Sequence, residues 1–215
     1  NIFIGKNVEI RPGVILDASS GPIILSENVY VDAGAIIQGP IFIGESCVIN
    51  PGAKLRKNIS LGPMCKIGGE VEDSIFEGYS NKQHDGFLGH SHIGQWVNLG
   101  ANTNNSDLKN NYGLIRMRIG ELEFQTDHQF LGSIMGDYVR TGISTMLNTG
   151  TIIGLGANIF GSDFQPKYIP PFKWGKSDQT ELEKFFQIIE IMKKRRKVKL
   201  NEAEKELLSK IYALN

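Results

Sequence analysis

The sequence is short of the features that mark several large protein classes. Among its 215 residues there are two cysteines and four histidines, and 23 basic residues balance 23 acidic ones. No apolar run approaches the ~20 residues that cross a bilayer, and no signal-peptide pattern is present. Zero net charge gives no general attraction to nucleic acid or to anionic membranes. We therefore expect a soluble protein with neither kind of partner.

Scarce cysteine and histidine also limit the chemistry. Cys47 and Cys65 occupy equivalent positions of a repeat, and we interpret them as reduced, packed side chains in a reducing, cytoplasmic compartment. His90 and His92 are the nearest approach to a metal pair. Metal sites need a set of ligands and no third one is evident in the sequence, so we predict no metal.

Glycine, by contrast, is abundant, with 25 residues. It recurs after an aliphatic residue in hexapeptide units, as at Ile43-Gly44 and Ile93-Gly94, and residues 18 apart also match. Three hexapeptides then form one coil of a parallel β-helix, whose coils must stack to bury their apolar side. We expect the glycines at corners that need a positive φ. An antiparallel sandwich needs hairpin turns; Asp85-Gly86 is one such dipeptide, but the repeat is the stronger evidence.

The pattern predicts a β-helix domain over residues 1–163 with an excursion loop at 104–130, in which residues 114–119 and 121–125 form a hairpin. Pro166, Pro170 and Pro171 interrupt a ladder, so we predict an extended linker over 164–176. A helical hairpin is predicted over 177–215, capped by Ser177 or Asp178 and then by Asn201.

Two further features remain open. The basic run at 193–197 suits either a solvated helix end or a site for a phosphate-bearing ligand. The chain starts at Asn1 within a repeat, so we expect an N-terminal domain to be missing.

Residues 79–113 break the repeat with polar side chains and hold three of the four histidines. A neutral His84 can accept a proton from an amine that attacks a thioester. Backbone amides near Gly100 and Ala101 can stabilise the oxyanion. Each of these signals is weak alone.

The run KQHDGFLG, followed by IGQWVNLGANT, resembles the acetyltransferase domain of the GlmU-like sugar-1-phosphate nucleotidyltransferase/acetyltransferase family. The resemblance extends through SDLKNNYG and GDYVRTGISTMLNTGT, from about residue 50 to about 161. It implies a left-handed β-helix, a homotrimer with sites between subunits, and acetyl transfer from acetyl-CoA to an amino sugar 1-phosphate.

The resemblance also assigns roles to individual residues. Catalytic roles fall to His84 as general base, Asn98 and Asp107; acetyl-CoA contacts fall to Gly100, Ala101, Gly142 and Gly161; substrate contacts fall to Lys82, Phe87, Asn105 and Lys109. The pattern departs at Asn50, where the family has an arginine for the substrate phosphate, and at Ile143, where it has a serine. Fewer charged donors weaken a phosphate site.

We therefore predict an enzyme, a hexapeptide-repeat acyltransferase that uses acetyl-CoA and a sugar 1-phosphate within nucleotide-sugar biosynthesis. The alternative is a non-catalytic trimerising or regulatory β-helix of a sugar-1-phosphate nucleotidyltransferase, such as a glucose-1-phosphate thymidylyl- or uridylyltransferase. Its Mg²⁺-dependent catalytic domain is absent from residues 1–215, because they lack a glycine-rich nucleotide-binding loop. A metal hydratase of the same fold is disfavoured by the histidine spacing.

Overall fold

The computed structural model describes residues 1–215 as a parallel β-solenoid of about 10 turns followed by two helices. The predicted β-helix of hexapeptide repeats is thus confirmed. In chain order the elements are β1 Ile2–Ile4, β2 Glu9–Ile10, β3 Ile15–Asp17, β4 Ile23–Leu25, β5 Tyr30–Val31, β6 Ile36–Gln38, β7 Ile41–Ile43, β8 Val48–Ile49, β9 Lys54–Arg56, β10 Ile59–Leu61, β11 Lys66–Ile67, β12 Glu70–Glu72, β13 Ile75–Phe76, β14 Asn81–Lys82, β15 Phe87–Gly89, β16 His92–Ile93, β17 Asn104–Asn105, β18 Arg116–Ile119, β19 Leu122–Gln125, β20 Ser133–Met135, β21 Arg140–Thr141, β22 Met146–Leu147, β23 Thr151–Ile153, β24 Asn158–Ile159, β25 Tyr168–Ile169, β26 Lys173–Trp174, β27 Asp178–Gln179, α1 Leu182–Lys194 and α2 Glu202–Ala213.

The strands stack into three faces. The first face is one nine-stranded sheet, in the order β1-β4-β7-β10-β13-β16-β20-β23-β25. The second face holds β2, β5, β8, β11 and β14 and continues to β21, β24 and β26 through Asn98, which forms one bridge to Asn81 and one to Arg140. The third face holds β3, β6, β9, β12 and β15, and next to it lie β17 and β22.

Aliphatic side chains at equivalent positions of successive coils stack in rows that face a shared interior. Leu25, Ile43 and Leu61 pair in register, as their spacing of 18 residues predicts. All three belong to a core of 29 buried residues that runs through the solenoid. Cys47 and Cys65 are buried in the same core as free cysteines. The solenoid is stable only as a stack, because no single coil covers its own apolar row.

The role expected for the repeat glycines is wrong for several of them. Gly44 and Gly62 do not have a positive φ, whereas corner residues such as Asn28 and Ser46 do. A Cβ on Gly62 would lie 2.0 Å from the carbonyl oxygen of Glu77 in the next coil. The repeat therefore needs glycine there because successive coils approach closely.

The proline-rich segment differs from its expectation as well. Strands β25 and β26 continue the first and second faces, pairing Tyr168 with Ile152 and Trp174 with Asn158. Pro170 and Pro171 fall at the corner between these strands, where no ladder N–H is needed. Residues 164–176 are thus part of the solenoid and not an extended linker.

The helix caps were only half predicted. Strand β27 pairs with β26, so α1 begins after Glu181 rather than at Ser177 or Asp178. Asn201 does cap α2, since its side chain accepts a hydrogen bond from the Glu204 N–H at 2.9 Å.

The excursion is shorter than predicted but contains the expected hairpin. Strand β17 still pairs with β22, so Asn104 and Asn105 belong to a coil. Strands β18 and β19 then form the antiparallel hairpin.

The two helices cover an aromatic column at the corner between the first and second faces. Trp96, Tyr138 and Phe172 pack there with Phe185 of α1 and Leu208 of α2. Neither helix is long and apolar enough to cross a membrane.

Candidate functional site

His84 lies exposed at the corner between the second and third faces. Ladder bonds stack Asn102 on Asp85 and Ser144 on Ala101 in successive coils. Ala101 and Ile143 therefore follow His84 along one edge, and Gly161 follows them in the next coil because the Gly142 N–H bonds to Ile159. The structure thus brings all four residues predicted to contact acetyl-CoA, Gly100, Ala101, Gly142 and Gly161, to the corner that carries His84.

Two backbone donors at this corner are free. The N–H groups of Ala101 and Ile143 make no hydrogen bond within the chain, while that of Gly100 donates to Thr141 at both its carbonyl (3.1 Å) and its hydroxyl (3.0 Å). Gly100 and Gly142 still matter, because a Cβ on Gly100 would lie 2.6 Å from the Gly142 backbone. Oxyanion donors are therefore available at Ala101 and Ile143, and the expectation for the Gly100 amide is wrong.

Lys82 does not face a substrate. It is 2 % exposed, and its ammonium donates to the carbonyls of Gly68 and His84, each at 3.0 Å. Burial is the main cause that lowers the pKa of Lys82 to about 8, with Asp85 and Glu70 opposing. The predicted substrate role for this residue is contradicted by its inward orientation.

Asp107 and Asn105 also serve other partners. Asp107 Oδ2 lies 2.8 Å from His90 Nδ1, at the corner on the far side of β15 from His84. Asn105 is 5 % exposed, and its amide spans the N–H and carbonyl of Gly89. Strand β15 (Phe87–Gly89) separates His90 from His84, and Asp107 is paired with His90, so Asp107 does not orient His84 within one chain.

The remaining predicted residues are spread over the surface. Asn98 lies on the second face between Asn81 and Arg140. Phe87 is half-buried, and its N–H is held by the Asn104 side chain at 2.8 Å. Lys109 donates to the Leu114 carbonyl inside the excursion.

The positions that depart from the family pattern have local partners or none. Asn50 donates from its amide to the Gln83 carbonyl at 2.8 Å, across the space left by Gly68. Ile143 is 76 % exposed at the His84 corner. Asn50 therefore offers no charge to a phosphate, and Ile143 offers no hydroxyl.

The sequence showed no third metal ligand near His90, but the structure places two carboxylates beside it. One ligand atom each of Glu72, His90 and Asp107 lies within 4.8 Å of the others. His92 points elsewhere, toward Glu77 at 3.3 Å. Glu72 already pairs with Arg56 at 3.0 Å and His90 with Asp107, so we assign no metal here.

Sequence reasoning missed a basic cleft on the second face. Lys66 and Arg140 line it together with Arg195 and Arg196 from the end of α1. The basic run at 193–197 was the available signal. Its partners on the solenoid became visible only once α1 was placed against that face.

Comparison with known proteins finds sequence relatives with acetyltransferase names. No protein-family model matches the chain. A bifunctional sugar-1-phosphate nucleotidylyltransferase/acetyltransferase of Sulfurisphaera tokodaii is 32% identical over 142 residues, which are 65% of this chain and 35% of that protein. An uncharacterized acetyltransferase, YaiX, of Escherichia coli is 34% identical over 150 residues, 69% of this chain and 65% of that protein. The chain therefore spans less than two thirds of either relative.

Among solved structures, AntD of Bacillus cereus, an N-acyltransferase in complex with dTDP and 3-hydroxybutyryl-CoA, aligns over 90% of both chains with 10% identity and a TM-score of 0.35. A likeness at that level carries no conclusion about function. The hexapeptide repeat, the β-solenoid and the two sequence relatives identify the chain as a hexapeptide-repeat β-solenoid protein that is related to acetyltransferases.

Proposed function

We propose that the chain is an acyltransferase domain that transfers the acetyl group of acetyl-CoA to an amino sugar phosphate. The observation that carries the proposal is the corner where an exposed His84 stands in line with the free N–H groups of Ala101 and Ile143. Both relatives have acetyltransferase names, and one of the names includes a sugar 1-phosphate.

The proposed reaction uses that corner directly. His84 accepts the proton of the amine as its nitrogen attacks the thioester carbon. The carbonyl oxygen gains negative charge and accepts hydrogen bonds from Ala101 and Ile143. The C–S bond then breaks, and the sulfur leaves as the thiol of CoA with the proton returned from His84. The acceptor amine lies next to His84, at the corner between the second and third faces.

The test measures thiol release from acetyl-CoA in the presence of an amino sugar 1-phosphate. We expect His84→Ala to lower kcat/KM by at least about 10²-fold, the usual contribution of a positioned base. His128→Ala is the matched control, because His128 is exposed in the excursion and its side chain has no hydrogen-bond partner. Normal turnover in His84→Ala removes His84 from the mechanism, and loss of turnover in His90→Ala instead moves the base to the Asp107 pair.

A second function has its own support. Asn50 and Ile143 lack the groups that the family pattern places at the phosphate and the thioester, and the chain spans 35% of the bifunctional relative. The chain is then a non-catalytic trimerising module of a nucleotidyltransferase. Thiol release by the wild-type chain excludes this function, whereas trimers that neither bind nor turn over acetyl-CoA support it.

A further inference from the structure

The end of α1 and the second face enclose a cleft of about 450 Å³. Four cationic side chains line it, Lys66 and Arg140 from the solenoid and Arg195 and Arg196 from the chain just after α1. No aspartate or glutamate lines it, and none of the four cations pairs with a carboxylate. In a chain with zero net charge, the cleft is a local concentration of uncompensated positive charge.

The solenoid register places two of the cations on one line of outward side chains. Lys66 pairs with Asn81, Asn81 with Asn98, and Asn98 with Arg140 on successive coils. Neighbouring strands are about 4.8 Å apart, so Lys66 and Arg140 stand roughly 14 Å apart with two carboxamides between them. The row has a cationic donor at each end and two neutral carboxamides between them, over a length that suits linked phosphate groups with a sugar attached.

Arg140 is the least satisfied member of this row. Its Nε and Nη2 atoms are buried and have no hydrogen-bond partner. Burial lowers the pKa of Arg140, yet a guanidinium stays charged at any physiological pH. Leaving buried charged donors without an acceptor is costly, and the planar guanidinium fork matches the oxygens of a phosphate. An anion with several acceptor oxygens, bound in the cleft, would give these donors partners.

The helix side of the cleft is held in place. Arg196 donates from Nη2 to the Asn81 side chain at 2.9 Å, which ties the end of α1 to the row on the second face. Burial and the positive charges of Arg196 and Arg195 lower the pKa of Lys66. The cations thus repel one another in the free protein, and an anion between them would remove that repulsion.

An apolar surface adjoins the cations. The rings of Tyr79 and Trp96 stack at 4.3 Å with an angle of 14° between their planes, and Met192 of α1 lies beside them at the edge of the cleft. Inorganic phosphate would use none of this surface. A volume of about 450 Å³ falls within the range of small-molecule sites and exceeds the need of a single phosphate.

We propose that this cleft binds a nucleotide through its phosphate groups, with Arg140 and Arg196 as the principal phosphate ligands and Tyr79 beside the nucleoside. With a separate nucleoside diphosphate the site goes beyond acetyl transfer, and with CoA it rests on the proposed function as the phosphate site of the acetyl donor. The phosphates can belong to CoA itself or to a separate nucleoside diphosphate, and the two sources share the same chemistry.

The test is isothermal titration of the full chain with three probes, pyrophosphate, ADP and CoA, without any acceptor sugar. We expect saturable binding of pyrophosphate and at least about 10-fold tighter binding of ADP or CoA, which also meet the apolar surface. CoA that displaces ADP assigns the phosphates to the acetyl donor, whereas ADP that binds unaffected by CoA assigns them to a separate nucleotide. No saturable binding of any probe at millimolar concentration overturns the proposal.

Variants separate this site from general electrostatics. We expect Arg140→Gln and Arg196→Gln each to weaken ADP binding at least about 10-fold. Arg118→Gln is the matched control, since Arg118 pairs with Glu121 in the excursion and should leave binding unchanged. Equal affinity in the wild type and both cleft variants, or an equal loss in the control, contradicts the proposal.

Thermal melting distinguishes a ligand-binding role of Arg140 from a purely structural role. Removing a buried, unpartnered cation should leave the melting temperature of the free protein unchanged or raised, while ADP should stabilise the wild type and not the variant. A variant that melts lower and is still stabilised by ADP overturns the role of Arg140. If Arg140→Gln does not fold, the double variant Lys66→Gln with Arg196→Gln gives the same decision.

Discussion

Lys82 places a charge inside the solenoid directly beneath the corner that carries His84. Its ammonium is bound by the carbonyls of Gly68 and His84, and a Cβ at Gly69 would lie 2.7 Å from its nitrogen. Glycine at position 69 thus leaves room for the ammonium. A buried lysine that bonds to the His84 carbonyl fixes the backbone of the proposed base without touching substrate.

The stability contributed by Lys82 should depend on pH. Its pKa in the folded protein, about 8, lies below the ordinary 10.5, so the unfolded chain binds more protons between these values and stability rises with pH across that window. We expect the unfolding free energy of the wild type minus that of Lys82→Met to increase from pH 8 to 10.5, by at most about 1.4 kcal/mol per pH unit.

Urea denaturation at several pH values measures this difference. Lys57→Met serves as the control, because Lys57 is exposed on the surface. If the curves of the wild type and Lys82→Met stay parallel across the window, the ammonium is not desolvated as the structure has it.

At the scale of elements, the two helices are joined by a buried ion pair over aromatic rings. Lys193 of α1 is 6 % exposed and pairs with Glu204 of α2, while its ammonium lies 5.3 Å from the centre of the Trp96 ring. The Tyr138 hydroxyl also donates to Glu204. The basic run at the end of α1 therefore divides into an inward Lys193, which pairs with α2, and Arg195 and Arg196, which line the cleft.

Breaking this pair should cost much more than breaking an exposed one. Glu204→Gln leaves Lys193 buried without its counter-charge, and we expect a loss of about 2 kcal/mol or more in unfolding free energy. Glu206→Gln is the matched control, because the exposed pair of Glu206 with Lys210 on the same helix contributes less than about 0.5 kcal/mol. Equal losses in urea denaturation would contradict a desolvated pair.

At the scale of the whole molecule, the three faces present different surfaces. The first face has a row of outward apolar residues that pair in register, among them Phe3, Ile24 and Phe42, with Ile75 two strands further on. Their exposed fractions range from 37% to 55%. The second face has the basic cleft, and charged side chains such as Arg56 and Glu70 cover the third. An exposed apolar row of this length suits contact with another copy of the chain.

If the chain forms the proposed homotrimer, the role of this apolar row as a subunit contact can be tested. Light scattering should give a mass of three times the 23.8 kDa chain. Ile24→Glu on the first face should lower that mass, because it places a carboxylate in the apolar contact. Ile36→Glu is the control, since Ile36 points outward from β6 on the third face. If the trimer survives Ile24→Glu and is lost in Ile36→Glu, the subunit contact lies on the third face and not on the first.

Much of the architecture follows from local sequence. The hexapeptide repeat, the alternation of inward and outward residues and the position of Asn201 were enough to predict the solenoid, the hairpin and the cap of α2. The close approach of coils at glycines such as Gly62 was not predicted. The residues predicted to contact acetyl-CoA likewise lie at one corner, because Ala101 and Gly161 hold positions equivalent to that of His84 in their coils.

Contacts across coils and helices depended on the tertiary structure instead. Asp107 lies beside His90 because the chain leaves the solenoid after β17 and returns on the first face. Arg140 and Arg196 line the same cleft because α1 packs over the second face. The spacing of these residues in the sequence does not predict their proximity, because it depends on how whole elements pack after long loops. The sequence by itself determined the coil and the corner of His84. Only the packed molecule decided which charges are buried, which are paired, and which are left open to a ligand.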